Sequence, residues 1–251
     1  MRIFVWNFHK CKFVTVITKI IASILIMVLV TGVISNLYFD SDKYIQAMHT
    51  ESEKNLIILD AGHGGEDPGA IGFDNVYEKN INLELVFEIG ELLSERGFAV
   101  MYTRVEDKLL YSEEENIKGF RKTSDLKNRC KIAAEYPEAM FISIHMNSYQ
   151  NPKYSGLQVY YSENNENSRI LASNIQSSVK NELQNSNNRT VKAGDGMYIL
   201  ENINNSAVLI ECGFLTNAEE CKKLSEKEYQ KQLSLAIVCG IIEYKELISS
   251  Y

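Results

Sequence analysis

The sequence contains few prolines and no closely spaced pair of cysteines. Only three of its 251 residues are proline, so it has no long, stiff proline-rich linker. The five cysteines are widely separated and form no C-x-x-C, which argues against a cysteine-based zinc site or a thioredoxin-like redox pair. We interpret the cysteines as small apolar side chains, and one disulfide stays open for a domain outside the cytoplasm.

An excess of positive charge is also missing. The net charge is -7, and because a nucleic-acid-binding protein needs a basic surface, nucleic acid is not a predicted partner. The absence of H-E-x-x-H excludes a helix-borne zinc protease site. The absence of G-x-S-x-G argues against a serine hydrolase of the α/β type. The glycine loop Gly62-x-Gly64-Gly65 matches neither phosphate-binding glycine motif.

The N-terminal part of the chain contains a long apolar run. Residues 20 to 39 carry no charged side chain, and about 20 apolar residues span the core of a bilayer as a helix. Basic residues precede the run and aspartates follow it, which predicts a cytoplasmic N-terminus and a catalytic region outside the cytoplasm. These flanking charges are Arg2, Lys10, Lys12, Lys19, Asp40 and Asp42.

We interpret this run as a transmembrane anchor that follows a basic segment of residues 1 to 19. A cleaved signal peptide is the alternative, although Val33-x-Ser35 is a weak cleavage site and A-x-A is missing. A buried core helix is less favoured, because the run does not alternate between polar and apolar faces. Residues 40 to 54 are predicted to be a polar tether, and residues 55 to 251 one catalytic domain.

The rest of the sequence alternates between short apolar strands and helical patterns. This order predicts a single α/β domain with a mixed sheet of about six strands and helices on both faces. Apolar residues at helical spacing predict a helix from Glu78 to Arg96, ended by Gly97. The other predicted helices are 126–134, 168–183 and 228–247, the predicted strands are 55–60, 98–102, 140–145, 156–161, 196–200 and 207–211, and 109–123 is a predicted surface loop.

Polar side chains follow three of the predicted strands. His63 follows the first strand, His145 and Asn147 end the third, and Glu211 ends the sixth. In open α/β sheets the functional loops converge at the carboxyl ends of the strands. We therefore expect two imidazoles and two carboxylates to meet at one edge of the sheet, with Glu78 at the start of the first helix.

Two histidines and one glutamate form a ligand set that zinc hydrolases use, with a fourth position left for water. His63, Glu78 and His145 supply this set, so we predict one zinc ion. Zinc lowers the pKa of its water toward about 7, which makes hydroxide available at neutral pH. We predict that Glu211 is the general base and then the general acid. Asp60 is predicted to support a ligand.

Each of these residues also has a purely structural explanation. A single histidine at a strand end is more often a hydrogen-bonded structural residue, but two of only four histidines occupy such positions here. Glu78 taken alone is better explained as a first-turn carboxylate favoured by the helix dipole. Glu211 is harder to explain, because it follows an interior type of strand, where a carboxylate must be paired, coordinated or neutralised.

The motifs resemble those of the zinc-dependent N-acetylmuramoyl-L-alanine amidases of the cell-wall amidase type. The resemblance runs in the family's order from about Asn55 to the C-terminus. It is greatest with the membrane-anchored amidases of endospore formers, which act on spore cortex peptidoglycan. The matching residues are Leu59-Asp-Ala-Gly-His63-Gly-Gly-Glu-Asp-Pro-Gly-Ala-Ile-Gly72, Glu78-Lys79-Asn80, Thr103-Arg104, Leu126-x-x-Arg129, Ser143-Ile-His145-Met-Asn147 and Glu211-Cys-Gly213-Phe-Leu-Thr-Asn217.

The resemblance implies hydrolysis of the amide between the lactyl group of N-acetylmuramic acid and the L-alanine of the stem peptide. For the spore enzymes it implies removal of stem peptides before a deacetylase forms muramic-δ-lactam, in the space between the mother cell and forespore membranes. It also implies a set of site residues. These are His63, Glu78 and His145 as zinc ligands, Glu211 as the catalytic glutamate, and Asp60, Arg104, Arg129 and Asn147 in supporting positions.

Two departures from the family's pattern concern support and control. Ala134 stands where the family often has asparagine, which affects only a supporting position. No long insertion lies between Lys79 and Phe98, where some division amidases carry an autoinhibitory helix, so control by a plugging helix is not predicted. No C-terminal wall-binding repeats are visible.

Two other functions remain open. One is a zinc peptidase that cuts within the stem peptides, and the other is a non-enzymatic wall-binding module with a degenerate site. The predicted partners are peptidoglycan and, through the N-terminal helix, the membrane. An accessory protein that binds the charged segment from Glu113 to Lys122 is a further candidate that the sequence alone does not reveal.

Overall fold

Six strands form one mixed sheet in the order β2-β1-β3-β6-β4-β5 in this computed structural model, which describes Met27, Val28 and residues 55–250. All neighbouring pairs are parallel except β4 and β6, which are antiparallel. The mixed six-stranded sheet predicted from the sequence is confirmed. The strands are β1 (Leu56–Ala61), β2 (Ala99–Tyr102), β3 (Met140–Asn147), β4 (Gln158–Tyr161), β5 (Lys192–Ala193) and β6 (Ala207–Phe214).

The central strands are apolar because both faces of the sheet are covered. Every residue of β1 is buried, as expected for a strand with helices on either side. One face packs against α1, α3 and α6, and the other against α2 and α4. The helices are α1 (Glu78–Glu95), α2 (Arg121–Glu135), α3 (Asn167–Glu182), α4 (Tyr198–Asn202), α5 (Ala218–Leu224) and α6 (Lys227–Ser249).

Helix α1 begins close to where the sequence predicts it and is ended by the glycine predicted to end it. Gly97 has φ 83°, a left-handed conformation in which glycine carries no steric cost. Its N–H donates to the carbonyl of Ser94 at 3.0 Å. Helix α1 therefore presents Glu78, its first residue, at the edge of the sheet where β1 and β3 end.

The predicted strand at residues 196–200 is wrong. Met197 is the N-cap of α4, whose Ile199 and Leu200 are buried against one face of the sheet. The fifth strand is instead the two-residue β5. A short apolar run has no periodicity that separates a buried helical turn from a strand. Helix α2 also starts earlier than predicted, within the residues assigned to a surface loop, and α5 was not predicted.

The predicted anchor, its basic flank and the tether lie outside the described residues, apart from Met27 and Val28. These two residues are helical and exposed. Among the helices that the structure describes, none has both the length and the apolar character needed to cross a membrane. The boundaries at residues 19, 39 and 54 stay predictions. The four cysteines in the described residues are free thiols: Cys130, Cys212, Cys221 and Cys239.

Candidate active site

The loop that follows β1 carries His63 in a left-handed conformation. Its φ is 62°, which is uncommon for a residue with a side chain. Gly62 precedes it, and a side chain there would collide with the ring of His145, because a Cβ would lie 2.2 Å from that ring. The glycine therefore lets the two imidazoles approach, and their ring centroids lie 4.9 Å apart.

Two buried arginines hold this loop by its backbone. Arg129 donates to the carbonyls of Ala61 at 2.8 Å and His63 at 2.9 Å. Arg104 donates to the carbonyls of Ala61 at 2.9 Å and Gly62 at 3.1 Å. Neither guanidinium hydrogen-bonds a side chain of the His63–Glu78–His145 cluster in the described part of the chain. Both arginines therefore position the loop through its carbonyl groups.

Asp60 lies beneath the loop in a fully buried network. Its carboxylate accepts hydrogen bonds from Ser143 at 2.6 Å, Thr103 at 2.7 Å and Arg129. Burial alone would raise the pKa of Asp60, but the Arg129 charge and the two hydroxyls outweigh burial and lower it. Arg129 is itself paired with Asp125 at 2.9 Å. Within the described residues Asp60 makes no hydrogen bond to either imidazole, and it supports the His63 loop through β1 and through Arg129.

Glu78 joins the two histidines. Its Oε1 lies 2.9 Å from His145 Nδ1 and 3.1 Å from His63 Nε2. The same carboxylate accepts the backbone N–H groups of Met146 at 3.0 Å and Ala70 at 2.7 Å. Its position at the start of α1 also suits a negative charge, because the helix dipole is positive there. Three charge or dipole sources therefore keep Glu78 ionised.

The three side chains fit a single metal ion. One nitrogen from each histidine and one Glu78 oxygen lie within 4.8 Å of one another. Among the described residues, these three side chains form the group of histidine, cysteine or carboxylate ligands that is close enough to hold a metal ion. Two imidazoles and a carboxylate form a borderline-soft donor set that suits zinc and leaves a position open. The histidine and carboxylate ligands predicted from the sequence are thus brought together as a candidate metal site.

The charges in the cluster shift its pKa values in opposite directions. Burial alone would lower the pKa of His63, but hydrogen bonds to Asp67 and Glu78 outweigh burial and raise it to about 9. The pKa of Glu78 would be raised by burial, yet the hydrogen bonds from His145 and His63 hold it well below its usual range. In the absence of metal, Glu78 therefore stays ionised, and a protonated imidazole balances its negative charge.

Glu211 differs from the cluster because the attraction of the two histidines offsets its burial only in part. It pairs with His145 across β6 and β3, and its Oε2 is buried without a hydrogen-bond partner in the described structure. Burial raises the pKa of Glu211 to about 7; the charges of His145 and His63 oppose this rise, and the nearby Glu78 charge adds to it. A carboxyl group with a pKa near neutrality is suited to accept and release a proton.

Asn147 was predicted to support the site, but in the described structure its side chain is not bonded to the cluster. It is the last residue of β3, where its backbone carbonyl accepts the N–H of Leu215 at 2.9 Å. Its side chain makes no hydrogen bond to the His63–Glu78–His145 cluster within residues 55–250. The structure therefore places Asn147 at the correct edge of the sheet and connects it to the loop after β6 by the backbone alone.

Sequence reasoning missed two residues that contact the cluster. Asp67 accepts from His63 Nδ1 at 2.8 Å, and Asn82 donates to the Gly62 carbonyl at 3.1 Å and to Glu78 at 3.4 Å. Asp67 lies four residues after His63 in the glycine loop, and Asn82 lies one helical turn after Glu78. That spacing on helix α1 was a usable signal for Asn82, whereas no local pattern identifies Asp67.

A two-histidine, one-carboxylate cluster beside a buried glutamate, at the carboxyl edge of an α/β sheet, defines the class of metal-assisted hydrolases. The family is defined by comparison with known proteins. Residues 57–243 match the family model described as N-acetylmuramoyl-L-alanine amidase. The chain belongs to this family and is an N-acetylmuramoyl-L-alanine amidase by enzyme class.

Individual relatives agree with this assignment. The germination-specific N-acetylmuramoyl-L-alanine amidase of Bacillus subtilis is 37% identical over 75% of this chain and 79% of its own length. The CwlD amidase of Clostridioides difficile, solved in complex with the GerS lipoprotein, has a TM-score of 0.73 and 42% identity over 76% of this chain and 98% of that one. The amidase AmiC2 of Nostoc punctiforme has a TM-score of 0.65 and 30% identity, covering 77% and 98% of the two chains.

Proposed function

We propose that this chain is a zinc-dependent amidase that removes stem peptides from spore cortex peptidoglycan. The observation that carries the proposal is the pairing of the His63–Glu78–His145 donor set with Glu211, whose Oε2 is buried and unpartnered. Its similarity to the germination-specific amidase of Bacillus subtilis supports the cortex as the substrate. Removal of the stem peptide leaves the muramic acid that a deacetylase converts to muramic-δ-lactam.

In this proposal His63, Glu78 and His145 hold the metal. A divalent ion at that position supplies a Lewis acid that polarises the amide carbonyl and makes water more acidic. The role of the chain is to orient these ligands before substrate arrives. Asp67 fixes the His63 ring through Nδ1, and the N–H groups of Ala70 and Met146 fix the Glu78 carboxylate.

Glu211 handles the proton. Its carboxylate accepts a proton from the attacking water as the oxygen–carbon bond forms. The same proton passes to the nitrogen of L-alanine as the carbon–nitrogen bond breaks, which releases a peptide with a free amino terminus and leaves a lactyl carboxylate. A pKa near 7, caused by burial, makes both transfers feasible at neutral pH.

We also propose that the catalytic domain works outside the cytoplasm, anchored by residues 20–39. Peptidoglycan is an extracytoplasmic polymer, and the apolar run with its basic flank supports this orientation. The similarity to a CwlD amidase solved with the GerS lipoprotein supports an accessory lipoprotein as a partner. Its contact is proposed at the segment Glu113–Lys122, which exposes Ile117 and Phe120 and is tied to the His63 loop by the Lys122–Asp67 ion pair.

Product analysis of the purified full-length chain tests the proposed reaction. With zinc and cortex muropeptides, mass spectrometry is expected to find intact stem peptides beginning with L-alanine and glycan without peptide. Excess chelator is expected to stop the reaction and added zinc to restore it. Cleavage between two amino acids of the stem would favour a peptidase instead. Full activity in excess chelator would remove the metal from the proposal.

A further inference from the structure

A pair of exposed tyrosines lies just beyond the carboxyl ends of β3 and β6. Tyr149 and Tyr154 are 55% and 45% exposed, and their rings meet edge to face with centroids 4.9 Å apart. The ring centroid of Tyr154 also lies 6.2 Å from that of Phe214, the last residue of β6. Exposed aromatic side chains held against a buried neighbour are typical of a binding surface.

A cleft of about 680 Å³ continues from Tyr154. Its volume falls within the range of ligand-binding sites, roughly 300–1,000 Å³. Amide and cationic side chains line much of it, and two of them are available as donors: the Asn188 amide makes no side-chain hydrogen bond, and the Lys153 ammonium no ion pair, within residues 55–250. The side chains that line the cleft include Lys153, Tyr154, Asn188, Arg189, Glu219 and Lys223.

Arg189, which lines this cleft, connects it to strand β6. Its guanidinium lies 4.6 Å from the centroid of the Phe214 ring and donates to Gln158 at 3.1 Å. Gln158 pairs directly with Glu211 across β4 and β6. The backbone N–H of Tyr149 donates to Thr216 at 3.1 Å, just after β6. The tyrosines and the cleft are therefore built onto the strand that carries the proposed proton carrier.

The chemistry of this surface fits a saccharide. Sugar rings present C–H groups on their flat faces, which are attracted to the negative face of an aromatic ring. Their hydroxyl and acetamido groups pair with amide side chains. An anionic peptide has less support, because Lys153 and Lys223 share the cleft with Glu219 and Glu220. The Arg189 guanidinium already donates to Gln158 and the Ser155 carbonyl.

We propose that Tyr149, Tyr154 and the adjoining cleft form a subsite for the glycan strand of the substrate, binding sugars next to the muramic acid whose amide is cleaved. This inference rests on the proposed function, since that function makes a glycan the polymer attached at the scissile bond. The subsite adds affinity for the glycan and does not take part in proton transfer.

Binding of peptide-free glycan strands to the full-length chain tests the subsite without requiring catalysis. Calorimetry is expected to detect binding by the parent protein. Tyr154→Ala is expected to bind about tenfold more weakly, the scale of one lost aromatic contact. Tyr154→Phe is expected to bind like the parent, because the ring and not the hydroxyl is used. Tyr149→Ala supplies a second variant at the more exposed position.

Phe87→Ala is a matched control. Phe87 is 39% exposed and meets Tyr102 edge to face at 5.3 Å, near the opposite edge of the sheet. This variant is expected to bind glycan like the parent. Equal binding by Tyr154→Ala and the parent, or no binding by the parent, would overturn the subsite. Loss of free stem-peptide binding in Tyr154→Ala, with glycan binding intact, would assign the cleft to peptide instead.

Turnover measurements separate this inference from the proposed function. The parent protein is expected to cleave longer glycans carrying the same stem peptide with higher kcat/KM than a single muramoyl-peptide, and Tyr154→Ala to lose this preference. If the parent cleaves no muramoyl amide while Tyr154→Ala still loses glycan binding, the proposed function fails and the subsite stands. If cleavage occurs with no dependence on glycan length in either protein, the subsite fails and the function stands.

Discussion

The His63–Glu78–His145 cluster and Glu211 meet where β3 pairs with β6, yet their polar groups have opposite surroundings. Around His63, Glu78 and His145, charged groups are paired with backbone donors, carboxylates or imidazoles. At Glu211 one carboxylate oxygen is buried with no partner in the described structure. In the cluster, hydrogen bonds and opposite charges outweigh burial in setting the pKa values, whereas at Glu211 burial outweighs the attraction of the histidines.

This difference separates two tasks that a hydrolase must perform. Ligands need fixed positions, and redundant hydrogen bonds provide them. A proton carrier needs a pKa near the working pH, and an unpaired buried carboxylate provides it. A hydrogen bond from the protein to Glu211 would stabilise its ionised form and weaken it as a base. Under the proposed mechanism, the unpaired oxygen is therefore what suits Glu211 to carry a proton.

The largest expected effect comes from separating the two regions by mutation. Glu211→Gln removes the proton carrier and leaves the cluster intact, so turnover is expected to fall by about 10³-fold or more while zinc affinity changes little. His145→Ala is expected to remove both. Steady-state rates with metal content by mass spectrometry measure the two quantities. A Glu211→Gln protein with a tenth of the parent's turnover would contradict this division.

The next effect concerns stability beneath the His63 loop. Arg129→Met leaves Asp60 buried without its cation, which is expected to lower the free energy of unfolding by about 3–5 kcal/mol. Denaturant unfolding of the metal-free protein measures it. The double variant Asp60→Asn, Arg129→Met is expected to lose less than the sum of the single variants, since the Asp60 charge that Arg129 neutralises is removed as well, and only Asp125 is left without its cation. Additive losses would show that the two residues act independently.

A smaller effect on metal affinity is expected at Asp67. Asp67→Asn removes the carboxylate that orients His63, which is expected to weaken zinc binding about 10–100-fold above pH 9. In the parent, the pKa of His63 is raised to about 9, so zinc must displace a proton at lower pH. Affinity is therefore expected to rise about tenfold per pH unit up to about pH 9 and then level off.

The asparagine variant changes this pH profile in a defined direction. Loss of the Asp67 charge lowers the pKa of His63, so the rise in affinity is expected to level off at a lower pH than in the parent. The defect is then smaller at pH 6 than at pH 9, because weaker proton competition offsets the poorer orientation. Zinc titrations with a competing chelator measure both profiles. Parallel profiles for the two proteins would separate Asp67 from the titration of His63.

The smallest expected effect tests redundancy around Asp60. Ser143→Ala removes one of three side-chain donors to that carboxylate, and the expected loss is about 1 kcal/mol in the free energy of unfolding. Zinc affinity is expected to stay close to that of the parent, because the cluster does not contact Ser143. Thermal unfolding with and without zinc measures both effects. A large loss of zinc affinity would mean that Asp60 positions the ligands more directly than its contacts indicate.

The strand-end histidines were predictable from the sequence because buried parallel strands are nearly continuous apolar runs. A polar residue that interrupts or ends such a run marks the carboxyl edge, as at His63 and His145. The prediction that Glu78 is a ligand had weaker support from the sequence, since the helix dipole already explains a carboxylate in the first turn. Its role as a bridge between the histidines depends on long-range packing of α1 against β1 and β3.

Other features depend on contacts that local patterns do not contain. Asp67 lies in an irregular loop, where no periodicity predicts which side chain turns toward His63. The helix at Tyr198–Asn202 was predicted as a strand because its short apolar run fits either element, and packing against the sheet decides between them. The buried Arg129–Asp60 pair joins residues 69 positions apart, a separation that only the fold closes.

The one antiparallel pairing within the described sheet has a consequence for where the chain can vary. Because β4 runs against β6, the connection between β3 and β4, residues 148–157, crosses the catalytic edge without supplying a ligand. If Tyr149 and Tyr154 form the proposed glycan subsite, substitutions or insertions in this connection are expected to change glycan recognition while the His63 loop keeps its own supports. Substrate preference and hydrolytic chemistry would then be encoded by different stretches of the chain.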